Sequence, residues 1–282
     1  MFNTLKKIIQ YPRLTQEYPK IINSTANFIG QPVIHPERCC FCGACAQRCP
    51  SQAIAFDGAA RRIGINYDQC VFCVLCEDVC QSGAIRMTHC FELAERSRAK
   101  LRPDGSVLTE SAAAEPNTAD AKPTLVIHEA DVPAMADEAL TGELKKHIMK
   151  VFGRSLQIRE VDSGSCNACD YEINALNNPV NDIERLGISF VASPRHADML
   201  LVTGTATRNM QQALVKTYQA TPDPKLVVAV GACACSGGIF RDSYATNNGI
   251  DSLIPVDVYI PGCPPRPQAI IYGILKALER VE

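Results

Sequence analysis

What most constrains this chain is a cysteine pattern that occurs twice. The stretch "CCFCGACAQRCPSQAI" starting at residue 39 returns as "CVFCVLCEDVCQSGAI" starting at residue 70, an offset of 70 − 39 = 31 residues. One small unit has been duplicated. The 282 residues include 15 cysteines, in tight groups at 39–49, 70–80, 166–169, 233–235 and 263, with none between Cys90 and Cys166. Such grouping marks ligand sets rather than a disulfide framework, and an odd total argues against complete pairing. The opening "MFNTLKKIIQYPRL" has lysines breaking its apolar residues and no small-residue cleavage site, so no secretory signal is expected. The expected compartment is the cytoplasm, where thiols stay reduced and open to metals.

In the first copy, Cys39, Cys42, Cys45 and Cys49 followed by Pro50 read C-x2-C-x2-C-x3-C-P, the spacing of a bacterial run that serves two iron-sulfur clusters. The close triplet wraps three corners of one cubane, and the fourth cysteine reaches the other. Cys39, Cys42, Cys45 and Cys80 are therefore the expected ligands of one 4Fe-4S cluster, and Cys70, Cys73, Cys76 and Cys49 of a second. Soft thiolates suit iron in delocalised clusters. The competing assignment, two four-cysteine zinc sites, fits less well because structural zinc usually takes paired C-x2-4-C knuckles. Gln81 stands where the first copy has Pro50, adding a backbone N–H near the cluster sulfurs that can make the two potentials differ. Cys40 and Cys90 miss the ligand spacing and are expected as packing thiols. Short apolar pieces at 53–56, 63–65 and 84–87 are expected to pair as strands over the metal sites.

Residues 101–147 hold 4 Lys/Arg against 9 Asp/Glu, and "RPDGSVLTESAAAEPNTADAKP" has few large apolar side chains. Such a segment buries too little surface to offset its ordering entropy, so 101–143 reads as an acidic linker between two modules. Beyond it the pattern changes. Strands are expected at 156–161, 188–192, 199–203, 226–230 and 256–260, separated by helical stretches such as 209–219 and 268–279. That alternation predicts a parallel sheet with covering helices. Ligands of such sheets sit beyond the carboxyl ends of the strands, and Cys166 with Cys169, Cys233 and Cys263 each follow a strand candidate. The glycines in "SGSCNACDYEI", "GACACSGGIF" and "PGCPPRP" let backbone come close to a metal group and donate N–H to sulfur. Spacing alone leaves two readings for these four cysteines, a metal site and buried structural thiols.

From about residue 145 onward, "SCNACDYEI", "SPRHADMLLVTG", "PDPKLVVAVGACACSGGIF" and "VDVYIPGCPPRP" resemble the small subunit of membrane-associated, energy-converting nickel-iron hydrogenases of the formate hydrogenlyase type. The resemblance extends more distantly to the cluster-bearing 20 kDa subunit of respiratory complex I. Residues 1–100 resemble the ferredoxin-like subunit of the same complexes, so the chain resembles a fusion of two neighbours in one electron chain. This implies an α+β ferredoxin-like double-cluster domain over 1–100, followed after the linker by an α/β flavodoxin-like parallel-sheet domain over 144–282.

The resemblance further implies that Cys166, Cys169, Cys233 and Cys263 bind a third 4Fe-4S cluster, proximal to the catalytic metal, with Cys235 a spectator. Arg195 and His196 of "SPRHAD" are expected close behind that cluster. Every paired cysteine is already assigned, so the nickel-iron site belongs to a partner large subunit, and the reaction implied is 2H+ plus two electrons to H2 or its reverse. The implied partners are that large subunit, membrane subunits, and an electron donor such as a formate dehydrogenase-linked ferredoxin subunit or a soluble ferredoxin. A complex I-like quinone oxidoreductase module is the alternative. Relatives of that type bear adjacent cysteines where this chain has Cys166-Asn167-Ala168-Cys169.

The net charge of -2 gives no reason to expect nucleic acid. No run approaches about 18 uninterrupted apolar residues, so membrane contact is expected to be peripheral, on the cytoplasmic face. At 5–10, Leu5, Ile8 and Ile9 can share one helical face with Lys6 and Lys7 on its flank, which suits a membrane subunit or anionic lipid.

Overall fold

In the computed structural model, residues 14–19, 28–102 and 152–278 are described, together with 6, 7, 10, 146 and 148–150. The expected acidic linker, beyond Leu101 and Arg102, lies outside the described residues, as do Leu5, Ile8 and Ile9.

The cysteine repeat folds into two antiparallel ribbons carrying one short helix each. Strand β1 (Pro32–Ile34) pairs with β4 (Ile85–Met87), and β2 (Ile54–Asp57) pairs with β3 (Arg62–Ile65). Helix α1 (Ala44–Arg48) and helix α2 (Leu75–Asp78) start 75 − 44 = 31 residues apart, the offset of the repeat. The strands expected at 53–56, 63–65 and 84–87 are present to within a residue. Strand β1 was not anticipated, because "PVI" between polar neighbours is too short to show a period, and Pro32 is tolerated only as its first residue. The core of this half is small: Cys45, Ile54, Ile63, Ile65 and Ile85 are buried, with Cys39, Cys49, Cys70, Cys76 and Cys80 packed against them.

The second half is a parallel sheet of β5 (Leu156–Asp162), β6 (Ile188–Phe190), β7 (Met199–Thr203), β8 (Leu226–Val230) and β9 (Val258–Ile260), in the spatial order β6-β5-β7-β8-β9. Strands β7 "MLLVT" and β8 "LVVAV" are buried along their whole length, as strands covered on both faces must be. Alternate residues serve opposite layers. Leu201 and Val228 point into one core with Ile270 and Ile274, whereas Leu200 and Val227 point into the other with Leu214. Each fully buried Leu or Ile contributes roughly 1.5–3 kcal/mol.

Helix α3 (Ala168–Asn174) follows β5, α4 (Gln211–Ala220) follows β7, and the short α5 (Gly231–Ser236) springs directly from β8. Helix α6 (Pro267–Leu278) opens on a proline whose missing N–H needs no partner in the first turn. A Cβ at Gly273 would lie 2.3 Å from Ile260 Cδ1, so glycine lets α6 lie this close to β9 without displacing the Ile260 side chain.

The two halves pack directly on one another. Tyr18, Phe91 and Ala94 enter one core layer of the sheet domain and Leu101 enters the other. Glu95 and Tyr259 form an antiparallel bridge with N–H to O distances of 3.0 and 2.8 Å, which caps the otherwise open edge of β9. The segment at 14–19 straps the same junction: Gln16 N–H donates to Val180 O at 2.7 Å and Tyr18 Oη to Glu92 Oε1 at 2.8 Å. Among the described residues, no helix is long and apolar enough to cross a membrane.

Candidate metal centre

Each copy of the repeat enters its helix through a left-handed residue, Gly43 at φ 72° before α1 and Val74 at φ 69° before α2. Glycine adopts this conformation freely. A β-branched valine is strained there, and such strain persists only where the surroundings impose it. The turn directs three sulfurs of each copy inward. Cys39, Cys42 and Cys45 line one pocket together with Cys80 of the other copy. Cys70, Cys73 and Cys76 line another together with Cys49. The fold thus brings the fourth cysteine of each copy to the triplet of the other.

The repeat also duplicates the polar environment of these sulfurs. Ala53 N–H donates to Cys49 Sγ and Ala84 N–H to Cys80 Sγ, both at 3.2 Å, and Phe72 N–H donates to Cys70 Sγ at 3.4 Å. Ser51 Oγ and Ser82 Oγ stand 3.7 and 3.6 Å from Cys49 Sγ and Cys80 Sγ. Donors aimed at sulfur spread its negative charge. Burial pushes the Cys45 and Cys76 thiols up to about 11 and Cys70 up to about 12. At Cys80 burial also pushes upward, but hydrogen bonds from Ser82 and the N–H groups of Ile85, Ala84 and Gly83 outweigh it and the net shift is downward. Without iron, the raised thiols are protonated at neutral pH, so loading expels protons, and cationic iron removes the cost of burying thiolate.

The third quartet is assembled at the carboxyl ends of three strands. Asn167, left-handed at φ 65°, turns the loop after β5 into α3, leaving Cys166 exposed in the loop and Cys169 buried on the helix. Cys233 lies in α5 after β8, and Cys263 lies in the Pro-Gly-Cys turn after β9. Their thiols are close enough to interact through their charges. The Cys169 thiol is raised first by burial and then by Cys233, Cys263 and Cys166, while Cys233 is pushed up to about 12 by burial, Cys263 and Cys166. At Gly231, φ +89°, a Cβ would fall 2.6 Å from Cys169 Sγ, so the backbone lies open where a cluster would sit. Cys263 is raised by burial, then by Cys166 and by Cys73 of the second cavity. The second and third quartets are therefore neighbours across the junction.

Among the described residues, no three His, Cys, Asp or Glu side chains converge on a single-ion site. Two quartets of soft thiols around pockets with N–H donors on sulfur, and a third beside a glycine cradle at Gly231, fit iron-sulfur clusters. Such clusters supply reversible one-electron chemistry when bound.

Not every expected residue is brought to these sites. Arg195 and His196 sit exposed in the 3-10 turn Pro194–His196 that enters β7. Met199 of β7 pairs with Ile158, near the start of β5, whereas Cys166 follows the far end of β5. Strand direction thus separates the two residues from the quartet. Cys40 and Cys90 are exposed rather than packed, and Cys40 lines the first pocket, its thiol lowered first by a hydrogen bond with Cys42. Cys235 is fully buried, its Sγ–H directed at Ala229 O and Ile260 O at 3.8 and 3.6 Å.

An acid pair beside Cys169 went unnoticed in the sequence. Asp170 accepts from Ser165 Oγ and, at 2.7 Å, from Thr203 Oγ1. Burial, then the hydrogen bond and charge of Asp170, push Glu160 up to about 7. Asp170 was signalled by its place after Cys169, but Glu160 reads as an ordinary polar strand residue.

Residues 166–277 match the family of the NADH ubiquinone oxidoreductase 20 kDa subunit, and residues 31–81 match a 4Fe-4S dicluster domain. A protein named "Probable membrane-bound hydrogenase subunit mbhJ" from Pyrococcus furiosus is 51% identical over 134 residues, covering 48% of this chain and 80% of that one. The chain belongs to the 20 kDa subunit family. Formate hydrogenlyase subunit 7 of Escherichia coli is 48% identical over 151 residues, 54% of this chain and 59% of its own length. An NADH-quinone oxidoreductase subunit of Geobacter metallireducens is 50% identical over 113 residues, 40% of this chain and 66% of that one. The chain thus spans somewhat under two thirds of these last two relatives. Iron-sulfur binding is common ground between the dicluster match and the cysteine geometry of this family member.

Proposed function

We propose that this chain is the electron-transfer subunit of a membrane-associated nickel-iron hydrogenase complex, relaying electrons through three 4Fe-4S clusters to or from a nickel-iron site in a partner large subunit. The observation that carries the reading is the unbroken succession of quartets. Cys39, Cys42, Cys45 and Cys80 hold the first cluster, Cys49, Cys70, Cys73 and Cys76 the second, and Cys166, Cys169, Cys233 and Cys263 the third. Cys73 of the second quartet lies close enough to Cys263 to help raise its thiol pKa, after burial and Cys166.

The first two clusters belong to a ferredoxin-like double-cluster domain over 1–100. The third belongs to a flavodoxin-like domain over 144–282, a reading supported by the 2-1-3-4-5 order of its parallel strands. The acidic 101–143 segment links them. Tyr171 on α3 and Ile239 and Phe240 just after α5 are exposed beside the elements that carry Cys169 and Cys233. Aromatic and aliphatic anchors of this kind suit docking of the large subunit over the third cluster. Membrane subunits hold the complex on the cytoplasmic face, and a ferredoxin or ferredoxin-like subunit exchanges electrons with the N-terminal clusters.

A quinone-reducing complex is the second reading, supported by the 50% identity to an NADH-quinone oxidoreductase subunit. The spacer Asn167-Ala168, which puts Cys166 and Cys169 on a loop and a helix, favours the hydrogenase. Purifying the native complex through a tag on this chain tests the choice. Nickel with H2-dependent dye reduction is the expected result, and a nickel-free complex with inhibitor-sensitive quinone reduction would overturn it.

A further inference from the structure

The loop that delivers Cys70 to the second quartet carries Asp68 two residues earlier, and Asp68 is fully buried where the two halves meet. Its Oδ2 accepts from Arg98 Nε at 2.8 Å and from Arg102 Nε and Nη2 at 2.9 and 2.7 Å. Arg98 Nη1 also donates to Asp251 Oδ2 at 3.0 Å, in the 3-10 turn Ile250–Ser252 of the sheet domain. Two carboxylates and two guanidiniums leave the knot neutral. Ser236, three residues after Cys233 on α5, donates its hydroxyl to the backbone oxygen of Asp68 at 2.7 Å. One residue therefore ties the loop of Cys70 to the helix of Cys233 and, through Arg98, to the turn bearing Asp251.

Simple adhesion does not call for this arrangement. Taking charges out of water costs more than packing apolar side chains of the same volume, and Asp68 Oδ1 is left without a partner. What directional bonds from several sides do supply is fixed position. Tunnelling between clusters falls steeply with their separation, so fixed position governs electron transfer.

We infer that the Asp68 knot is a positioning device, setting the distance and orientation of the second cluster relative to the third. The inference rests on the three-cluster reading above. Neither Asp68 nor Ser236 touches a cluster. They act through the loop of Cys70 and the helix of Cys233.

The test uses the full chain, loaded with iron and sulfide, as Asp68→Asn and as Ser236→Ala. Asp68→Asn keeps the shape but removes the charge that two arginines need, and Ser236→Ala leaves the ion pairs and cuts the tie to α5. Both variants are expected to keep their iron content and the g-values of each cluster. The magnetic splitting between the reduced second and third clusters should shrink. Freeze-quench reduction of the third cluster should slow several-fold, because tunnelling falls exponentially with distance. Hydrogen exchange at the Glu95 and Tyr259 amides, which pair across the junction, should quicken. If Asp68→Asn fails to load, Ser236→Ala decides. Three clusters with unchanged splitting and rate in Ser236→Ala would overturn the inference while leaving the proposed function standing. Only two clusters in the unmodified chain would overturn both.

Discussion

The two halves of this molecule hold themselves together by different means. Around the N-terminal cavities, the buried core amounts to four isoleucines and Cys45, ringed by other cysteines. The sheet domain instead buries two apolar layers, and its quartet sits at one end, beyond the strands. Removing the clusters should therefore mean different things to each. A module whose core is largely its ligands depends on the metal for folding, whereas a sheet with its own core loses only a site.

Stripping iron with a chelator should distinguish the two halves. Amides in 32–87 should lose hydrogen-exchange protection, since metal binding in small metal-folded domains is worth on the order of 10 kcal/mol. Those of β7 and β8 should keep theirs. Equal loss in both halves would show that the sheet domain leans on its cluster as heavily as the repeat does.

A smaller effect separates the halves by pH. Glu160 moves from 4.5 to about 7 in the sheet domain. Because the folded state holds the proton more tightly, this contribution is fully present below 4.5 and is lost as pH rises through about 7. Iron-free chain should thus lose thermal stability over that window, by an amount on the order of 2–4 °C given the partial exposure of the group. Glu160→Gln should flatten the slope. A variant with the wild-type slope would show that Glu160 titrates normally.

How much of this was legible in the sequence depends on how local each feature is. Ligand spacing within a copy is a local property, so the crossing of Cys49 and Cys80 between triplets could be read from the repeat. Strands β7 and β8 were legible as unbroken apolar runs, and their bounds agree with expectation. Strand β1 was not, being three residues behind a proline. The misplacement of Arg195 and His196 has a different origin. Their nearness to a strand was visible, but which end of the sheet they occupied depended on strand direction. The Asp68 knot joins residues 30, 34 and 168 positions away, and no local pattern announces it. Direct packing of the two modules was equally invisible, since the acidic segment between them suggested a tether.

In the proposed function the chain carries three clusters, the third held by four cysteines gathered from three loops. Iron counting tests it most directly, on anaerobically reconstituted full chain and on Cys263→Ser. About 12 irons per chain are expected in the first and about 8 in the second, with the spectra of the two N-terminal clusters unchanged. About 8 irons in both chains would contradict it.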